Sequence, residues 1–147
     1  MVSYYLDTSA LLKHYVDELG STWVRTQISD ATLLVSSELV IVEAVSAFNR
    51  RAREGGLSLT EYQRVRDILY EDCRVRYQIV PATRSVIMTA CTLLENHRLR
   101  GYDAMHLATA LVVKRSLQKH GLPPLTFLCA NDHLNAAASA EGLRVDN

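Results

Sequence analysis

The chain has 147 residues, 48% of them hydrophobic and 22% charged, which is enough for one globular domain with its own core. Sixteen basic residues balance sixteen acidic ones, so the overall charge gives no indication of nucleic-acid binding. No apolar run approaches the roughly 20 residues that a membrane-spanning helix needs. We therefore predict a single domain over residues 1–147 with no membrane contact. Because the three cysteines show no CxxC spacing, we expect reduced thiols and a cytoplasmic protein.

Predicted strands and helices alternate along the chain. Short apolar runs predict strands at residues 2–6, 32–35, 77–80 and 125–129, with an edge strand at 143–145. The longest helices are predicted at residues 38–53, 60–74, 85–97 and 103–118, the second of them opened by a capping box at Thr60. This alternation predicts a three-layer α/β/α sandwich, in which helices cover both faces of a mainly parallel sheet of four to five strands.

Four acidic residues stand alone in otherwise uncharged stretches. Asp7 follows VSYYL, Glu43 lies in LVIVEAVSAF, Asp103 in GYDAMHLATALVV and Asp132 in LTFLCANDHLNAAASA. A carboxylate in apolar surroundings loses hydration, so it needs an ion pair, hydrogen bonds or a metal ion. If the four converge, their repulsion requires a cation, and oxygen ligands select Mg²⁺ or Mn²⁺. The pattern predicts metal-assisted phosphodiester chemistry with all four acids as ligands.

The predicted elements bring these acids toward one edge of the sheet. Asp7 and Asp132 directly follow the first and fourth strands, and ligands of open parallel sheets bind at the carboxyl ends of the strands. Asp103 begins a helix whose preceding loop can lie at the same edge. Glu43 is one to two turns into the helix after the second strand, so its carboxylate can reach back to that edge.

Each acid also has an explanation that involves no metal. Asp7, Asp103 and Asp132 all stand where an aspartate can cap a helix. Glu43 lies on a helix that is apolar nearly all round, which predicts a buried helix. The alternative to a metal there is an ion pair with Arg50, seven residues further on.

Three more side chains are candidates for supporting or substrate-binding roles. Ser9 can hydrogen-bond Asp7 or a metal-bound water, or it can cap the turn. His106 lies one turn beyond Asp103 and is either a substrate contact or a core histidine with its hydrogen bonds satisfied. Arg50 opens an arginine run that suits phosphate contact or forms a solvated helix end.

Taken together, four segments resemble the motifs of the PIN domain, and most closely those of VapC-type toxins of toxin–antitoxin pairs. They are YYLDTSALLKHY, SSELVIVEAVSAFNR, LRGYDAMHLATAL and FLCANDHLNAAASAEGL. The resemblance assigns the family's four acids to Asp7, Glu43, Asp103 and Asp132. The family often has Thr or Ser two residues before the last acid, where this chain has Ala130. We expect Asn131 to supply the missing hydrogen bond.

The resemblance implies an endoribonuclease that uses Mg²⁺ or Mn²⁺. Such an enzyme cleaves structured RNA, for example tRNA or rRNA loops, by metal-activated water, and it acts as a toxin. The resemblance also implies a homodimer and a cognate VapB-type antitoxin. One alternative is an α/β phosphatase or receiver-like domain with Asp7 as nucleophile, but Ser9 stands where a phosphatase needs a second Asp. Another is a catalytically inert PIN-like binding module, which retention of all four acids disfavours.

Overall fold

The computed structural model describes residues 2–147 as five strands and seven helices. Met1, the first residue of the predicted domain, lies outside the described residues. None of the helices in the described part of the chain is long and apolar enough to cross a membrane. The strands are β1 (Ser3–Leu6), β2 (Leu33–Ser37), β3 (Gln78–Val80), β4 (Leu125–Leu128) and β5 (Arg144–Asp146). The helices are α1 (Thr8–Tyr15), α2 (Ser21–Asp30), α3 (Leu39–Arg53), α4 (Leu59–Val75), α5 (Arg84–Asn96), α6 (Gly101–Lys119) and α7 (Asp132–Ala140).

All five strands are parallel, in the order β3-β2-β1-β4-β5. The central strand is β1, whose Tyr5 lies opposite Val35 of β2 and Phe127 of β4. The chain moves outward from β1 to β3 and then returns to the other side of β1, so strand order reverses between β1 and β4. Ligands of such sheets bind at this reversal. The first and fourth strands are neighbours, which is the condition for Asp7 and Asp132 to share one sheet edge.

Alternate side chains of β1 enter two separate cores. Tyr4 and Leu6 pack into the core beneath helices α1 to α4, whereas Tyr5 packs into the core beneath α5, α6 and α7. A strand that is apolar on both sides belongs between two helical layers. The three-layer α/β/α prediction is therefore confirmed.

Two predicted helix starts are wrong. Helix α4 begins at Leu59, with Ser58 as its cap, whereas the sequence predicted a capping box at Thr60. The Ser58 hydroxyl accepts from the Glu61 backbone N–H at 3.1 Å, and the Glu61 carboxylate accepts from the Ser58 N–H at 3.3 Å. Both positions carry a hydroxyl, but a glutamate follows three residues after Ser58 and a glutamine after Thr60. Helix α6 begins at Gly101, so Asp103 lies within its first turn and does not cap it.

Replacing Ser58 by alanine tests this capping box. We expect Ser58→Ala to cost about 1 kcal/mol, because the Glu61 N–H loses its acceptor at the helix start. For a domain of this size that lowers the midpoint of thermal unfolding by about 2–4 °C. Thr60→Ala is the matched control and should change the midpoint little. An equal or larger loss in the Thr60 variant would contradict the assignment.

Candidate active site

Asp7 stands directly after β1 and is only 4% exposed. Its Oδ1 atom accepts hydrogen bonds from the Ala10 backbone N–H at 2.9 Å and from the Ser9 hydroxyl at 2.7 Å. Asp7 therefore caps α1, as predicted by the explanation that involves no metal. These bonds use one carboxylate oxygen, and within residues 2–147 Oδ2 has no hydrogen-bond partner. The cap fixes the carboxylate and leaves one oxygen available.

Ser9 connects Asp7 to the loop after β4. Its hydroxyl donates to Asp7 and accepts from the Ala130 backbone N–H at 2.9 Å. Of the roles predicted for Ser9, the hydrogen bond to Asp7 is the one the structure shows. Cys129 lies next to this pair, with its sulfur 3.8 Å from the Ser9 hydroxyl, and burial raises the pKa of its thiol well above the ordinary range. The thiol therefore stays protonated at neutral pH.

Glu43 projects from α3 and is hydrogen-bonded to a histidine. Its Oε1 atom lies 2.7 Å from Nε2 of His106, and its side chain is 19% exposed. The predicted ion pair with Arg50 is wrong, since Arg50 is exposed and makes no ion pair within residues 2–147. The prediction that α3 is buried all round is also wrong, because Val42 is 56% exposed. Glu43 lies at the boundary between the buried and the solvent-facing sides of α3.

His106 is almost completely buried, with 1% of its surface exposed. It has no free surface with which to contact a substrate, so that predicted role is excluded. Its Nδ1 lies 2.8 Å from the Tyr5 hydroxyl, and its Nε2 lies 3.1 Å from the Thr8 hydroxyl. Tyr5 and Thr8 were not predicted to belong to the site. The available signal was Tyr5 itself, because a tyrosine hydroxyl within a buried strand requires a hydrogen-bond partner.

Asp103 shares its electrostatic environment with two of the other acids. It is half-buried in the first turn of α6. Burial raises the pKa of Asp103 most, and repulsion from the Asp7 carboxylate is the next largest cause. His106 and Arg100 act in the opposite direction, and Glu43 adds the smallest contribution, which also raises the pKa. The carboxylates of Asp7, after β1, and of Glu43, on α3, therefore lie near enough to Asp103 at one edge of the sheet to disfavour its ionisation.

Asp132 occupies a different environment. It is exposed, and its Oδ1 accepts a hydrogen bond from the Asn147 side chain at 3.4 Å. The predicted hydrogen bond from Asn131 is wrong, because the Asn131 side chain accepts from the backbone N–H groups of His133 and Leu134. Asn131 thus caps α7, and Asp132 is its first residue. Asp132 is also not among the charges that shift the pKa of Asp103.

The oxygen donors of Asp7, Glu43 and Asp103 suit a hard divalent cation such as Mg²⁺ or Mn²⁺. A cation would relieve the repulsion that Asp7 and Glu43 exert on Asp103, and each of the three keeps an oxygen that forms no hydrogen bond within residues 2–147. As the side chains stand, no three His, Cys, Asp or Glu residues of the described chain are close enough to ligate one ion. The donor atoms are of the type that binds such a cation, but the three side chains would have to move closer together to ligate one ion.

Comparison with known proteins identifies the family. Residues 4–127 match the PIN domain. The chain belongs to the PIN-domain family. This PIN domain is 33% identical over 142 residues to ribonuclease VapC49 of Mycobacterium tuberculosis, and the match covers 96% of this chain and 92% of that protein.

Solved structures share the fold at low sequence identity. The M. tuberculosis VapC20 structure, a sarcin-ricin loop cleaving toxin, superposes with a TM-score of 0.64 at 16% identity and covers 96% of each chain. A toxin–antitoxin complex from Klebsiella pneumoniae superposes with a TM-score of 0.61 at 18% identity. The superposition covers 99% of this chain and 97% of the matched chain of that complex. At these identities, the superpositions show that this PIN domain has the same fold as those proteins.

Neutralising Asp103 should stabilise the folded protein. A raised pKa means that the ionised carboxylate is less favourable in the folded state than in the unfolded state at neutral pH. We therefore expect Asp103→Asn to raise the midpoint of thermal unfolding at pH 7. The rise should not exceed a few degrees, because roughly 1 kcal/mol corresponds to about 2–4 °C and the group is only half-buried.

Asp132→Asn is the matched control and should leave the midpoint unchanged, since Asp132 is exposed. Both variants need to be measured in EDTA, so that a bound cation does not offset the repulsion. A lower midpoint for Asp103→Asn would show that this carboxylate stabilises the fold and would contradict the proximity of the three acids.

Proposed function

We propose that the chain is an endoribonuclease that depends on Mg²⁺ or Mn²⁺ and cleaves structured RNA, such as the loops of tRNA or rRNA. The observation that carries this proposal is a hydrogen-bonded link at the strand-order reversal, where His106 contacts both Glu43 on α3 and Thr8, the residue after Asp7, three residues along α6 from Asp103. Family membership and a relative named ribonuclease support it. A half-buried carboxylate that two neighbouring acids repel is costly to a fold and is typical of a functional site.

Asp7, Glu43 and Asp103 are the residues proposed to hold the ion, and Asp132 is a candidate for a fourth position at the rim. When bound, Mg²⁺ or Mn²⁺ lowers the pKa of a water ligand and offsets charge on the leaving oxygen. The Ser9 hydroxyl and the α1 backbone hold Asp7 in one orientation.

Exposed basic residues next to the site suit the phosphates of an RNA strand. Arg98 and Arg100 lie on the loop before α6, and His133 follows Asp132 at the start of α7. Arg50 is exposed near the end of α3 and can contact the strand further from the acids. Guanidinium groups bind phosphates in a bidentate manner, and unpaired loops can be splayed into an open site. This distribution supports RNA as the substrate even though the net charge is zero.

We further propose that the chain forms a homodimer and acts in the cytoplasm as a toxin controlled by a VapB-type antitoxin. Helix α5 carries exposed apolar side chains at Ile87 and Met88 and, about two turns further on, at Leu94, and an exposed apolar surface of this kind favours a protein contact. The similarity to the K. pneumoniae toxin–antitoxin complex supports an antitoxin partner.

Cleavage of a labelled structured RNA by the purified protein tests the activity. We expect cleavage with Mn²⁺ and its loss in EDTA. Asp7→Asn should reduce the rate by about 100-fold or more, because a lost metal ligand is worth several kcal/mol in the transition state. This variant keeps Oδ1 as an acceptor for Ala10 and Ser9, so the helix cap survives.

The other outcomes separate the alternatives. Undiminished cleavage in EDTA, or in both Asp7→Asn and Asp103→Asn, would exclude the metal-nuclease proposal. No cleavage of any RNA with Mn²⁺ would favour an inert binding module. A phosphatase with Asp7 as nucleophile is disfavoured already, because Ser9 stands where a second Asp is needed and its hydroxyl is used in bonds to Asp7 and Ala130.

A further inference from the structure

We infer that His106 is a positioning residue for Glu43. It binds one oxygen of the Glu43 carboxylate and so directs the other oxygen toward the space between Asp7 and Asp103. The inference rests on the proposed function, in which Glu43 is one of the residues that hold the divalent cation. It assigns to His106 a role that does not involve contact with RNA, as its burial requires.

The hydrogen-bond pattern supports this assignment. An ionised carboxylate only accepts hydrogen bonds, so Nε2 of His106 donates to Oε1 of Glu43 across 2.7 Å. In a neutral ring, Nδ1 then accepts from the Tyr5 hydroxyl, 2.8 Å away. No group within residues 2–147 hydrogen-bonds the other oxygen of Glu43, Oε2. One oxygen is held by the protein while the second stays free, as is also the case for Asp7.

The imidazole of His106 is itself held in place by Tyr5, on the side away from Glu43. Tyr5 is completely buried, and its ring stacks on Phe127 with centroids 5.4 Å apart. The Tyr5 and His106 rings meet edge to face at 5.9 Å, in addition to their hydrogen bond. Tyr5 belongs to the central strand and is fixed there by the sheet. Its contacts with His106 therefore limit the movement of the imidazole, and the imidazole in turn limits the movement of Glu43.

This support matters because Glu43 would otherwise be mobile. Its side chain has three rotatable bonds, is partly exposed, and projects from a helix on the opposite side of the sheet from α6. Fixing such a side chain costs conformational entropy, which a binding cation would have to offset. When the orientation is set in advance, that cost is met during folding and the cation binds more tightly.

A purely structural role is the alternative, because the bond between Glu43 and His106 also joins the two helical layers. Two substitutions at position 106 separate the roles. In His106→Gln the amide nitrogen reaches about as far as Nε2, so it can still donate to Glu43. In His106→Asn the amide reaches only as far as Nδ1, so it can meet Tyr5 but not Glu43. Both variants place a neutral amide in the same buried position.

Mn²⁺ binding, measured by calorimetry on the purified protein without RNA, provides the readout. We expect His106→Asn to weaken Mn²⁺ binding by about tenfold and His106→Gln to bind within about twofold of the wild type, since residues that orient metal ligands typically contribute 10- to 100-fold to affinity. Leu117→Ala, in the core at the far end of α6, is the control for lost stability and should leave the affinity unchanged.

Unchanged affinity in His106→Asn would overturn the inference, and so would equal losses in the asparagine and glutamine variants. If the asparagine variant does not fold, Tyr5→Phe is the second test. It removes the hydroxyl behind the ring and should weaken Mn²⁺ binding in the same direction, and an unchanged affinity would again overturn the inference. Failure of the wild-type protein to bind Mn²⁺ would instead refute the proposed function, and the inference with it.

Discussion

The repulsion that the carboxylates of Asp7 and Glu43 exert on Asp103 is the constraint on which the arrangement of this sheet edge depends. Burial and the two neighbouring charges raise the pKa of Asp103, so the folded state carries an electrostatic cost at neutral pH. The fold tolerates this cost because the elements that carry the acids are held in place by packing. Each acid stands on a different element, and those elements are packed into two separate cores on either side of β1. A site built in this way is poised for a cation that relieves the repulsion.

Two of the three acids are held by the same device. One oxygen of Asp7 is bound by the start of α1 and by Ser9, and one oxygen of Glu43 is bound by His106. Their second oxygens form no hydrogen bonds within the described chain. Asp103 forms none with either oxygen there, which leaves its position to respond most readily to a bound ion. Orientation by hydrogen bonds to the outer side of each ligand is how proteins tune metal sites.

The sequence was sufficient to predict the layers and the parallel sheet, because these follow from the alternation of strands and helices. The pairing of β1 with β4 did not follow from it, because strand order depends on contacts between distant segments. It did not reveal the partner of Glu43. Arg50 is seven residues away along α3, whereas His106 comes from α6 in the other helical layer and meets Glu43 only once the whole sheet is assembled, which no local pattern encodes. The same limit applies to Asp132, whose motif aligns it with the other acids although its carboxylate is exposed and bonds to Asn147.

Anomalous scattering from crystals soaked in Mn²⁺ tests the central claim most directly, because it locates the ion. The account predicts a manganese peak at the carboxyl end of β1, ligated by oxygens of Asp7, Glu43 and Asp103 at about 2.0–2.3 Å. Glu43 should ligate through the oxygen that His106 does not bind. The account is contradicted if saturating Mn²⁺ gives no peak between these three carboxylates, or gives a peak that none of them ligates.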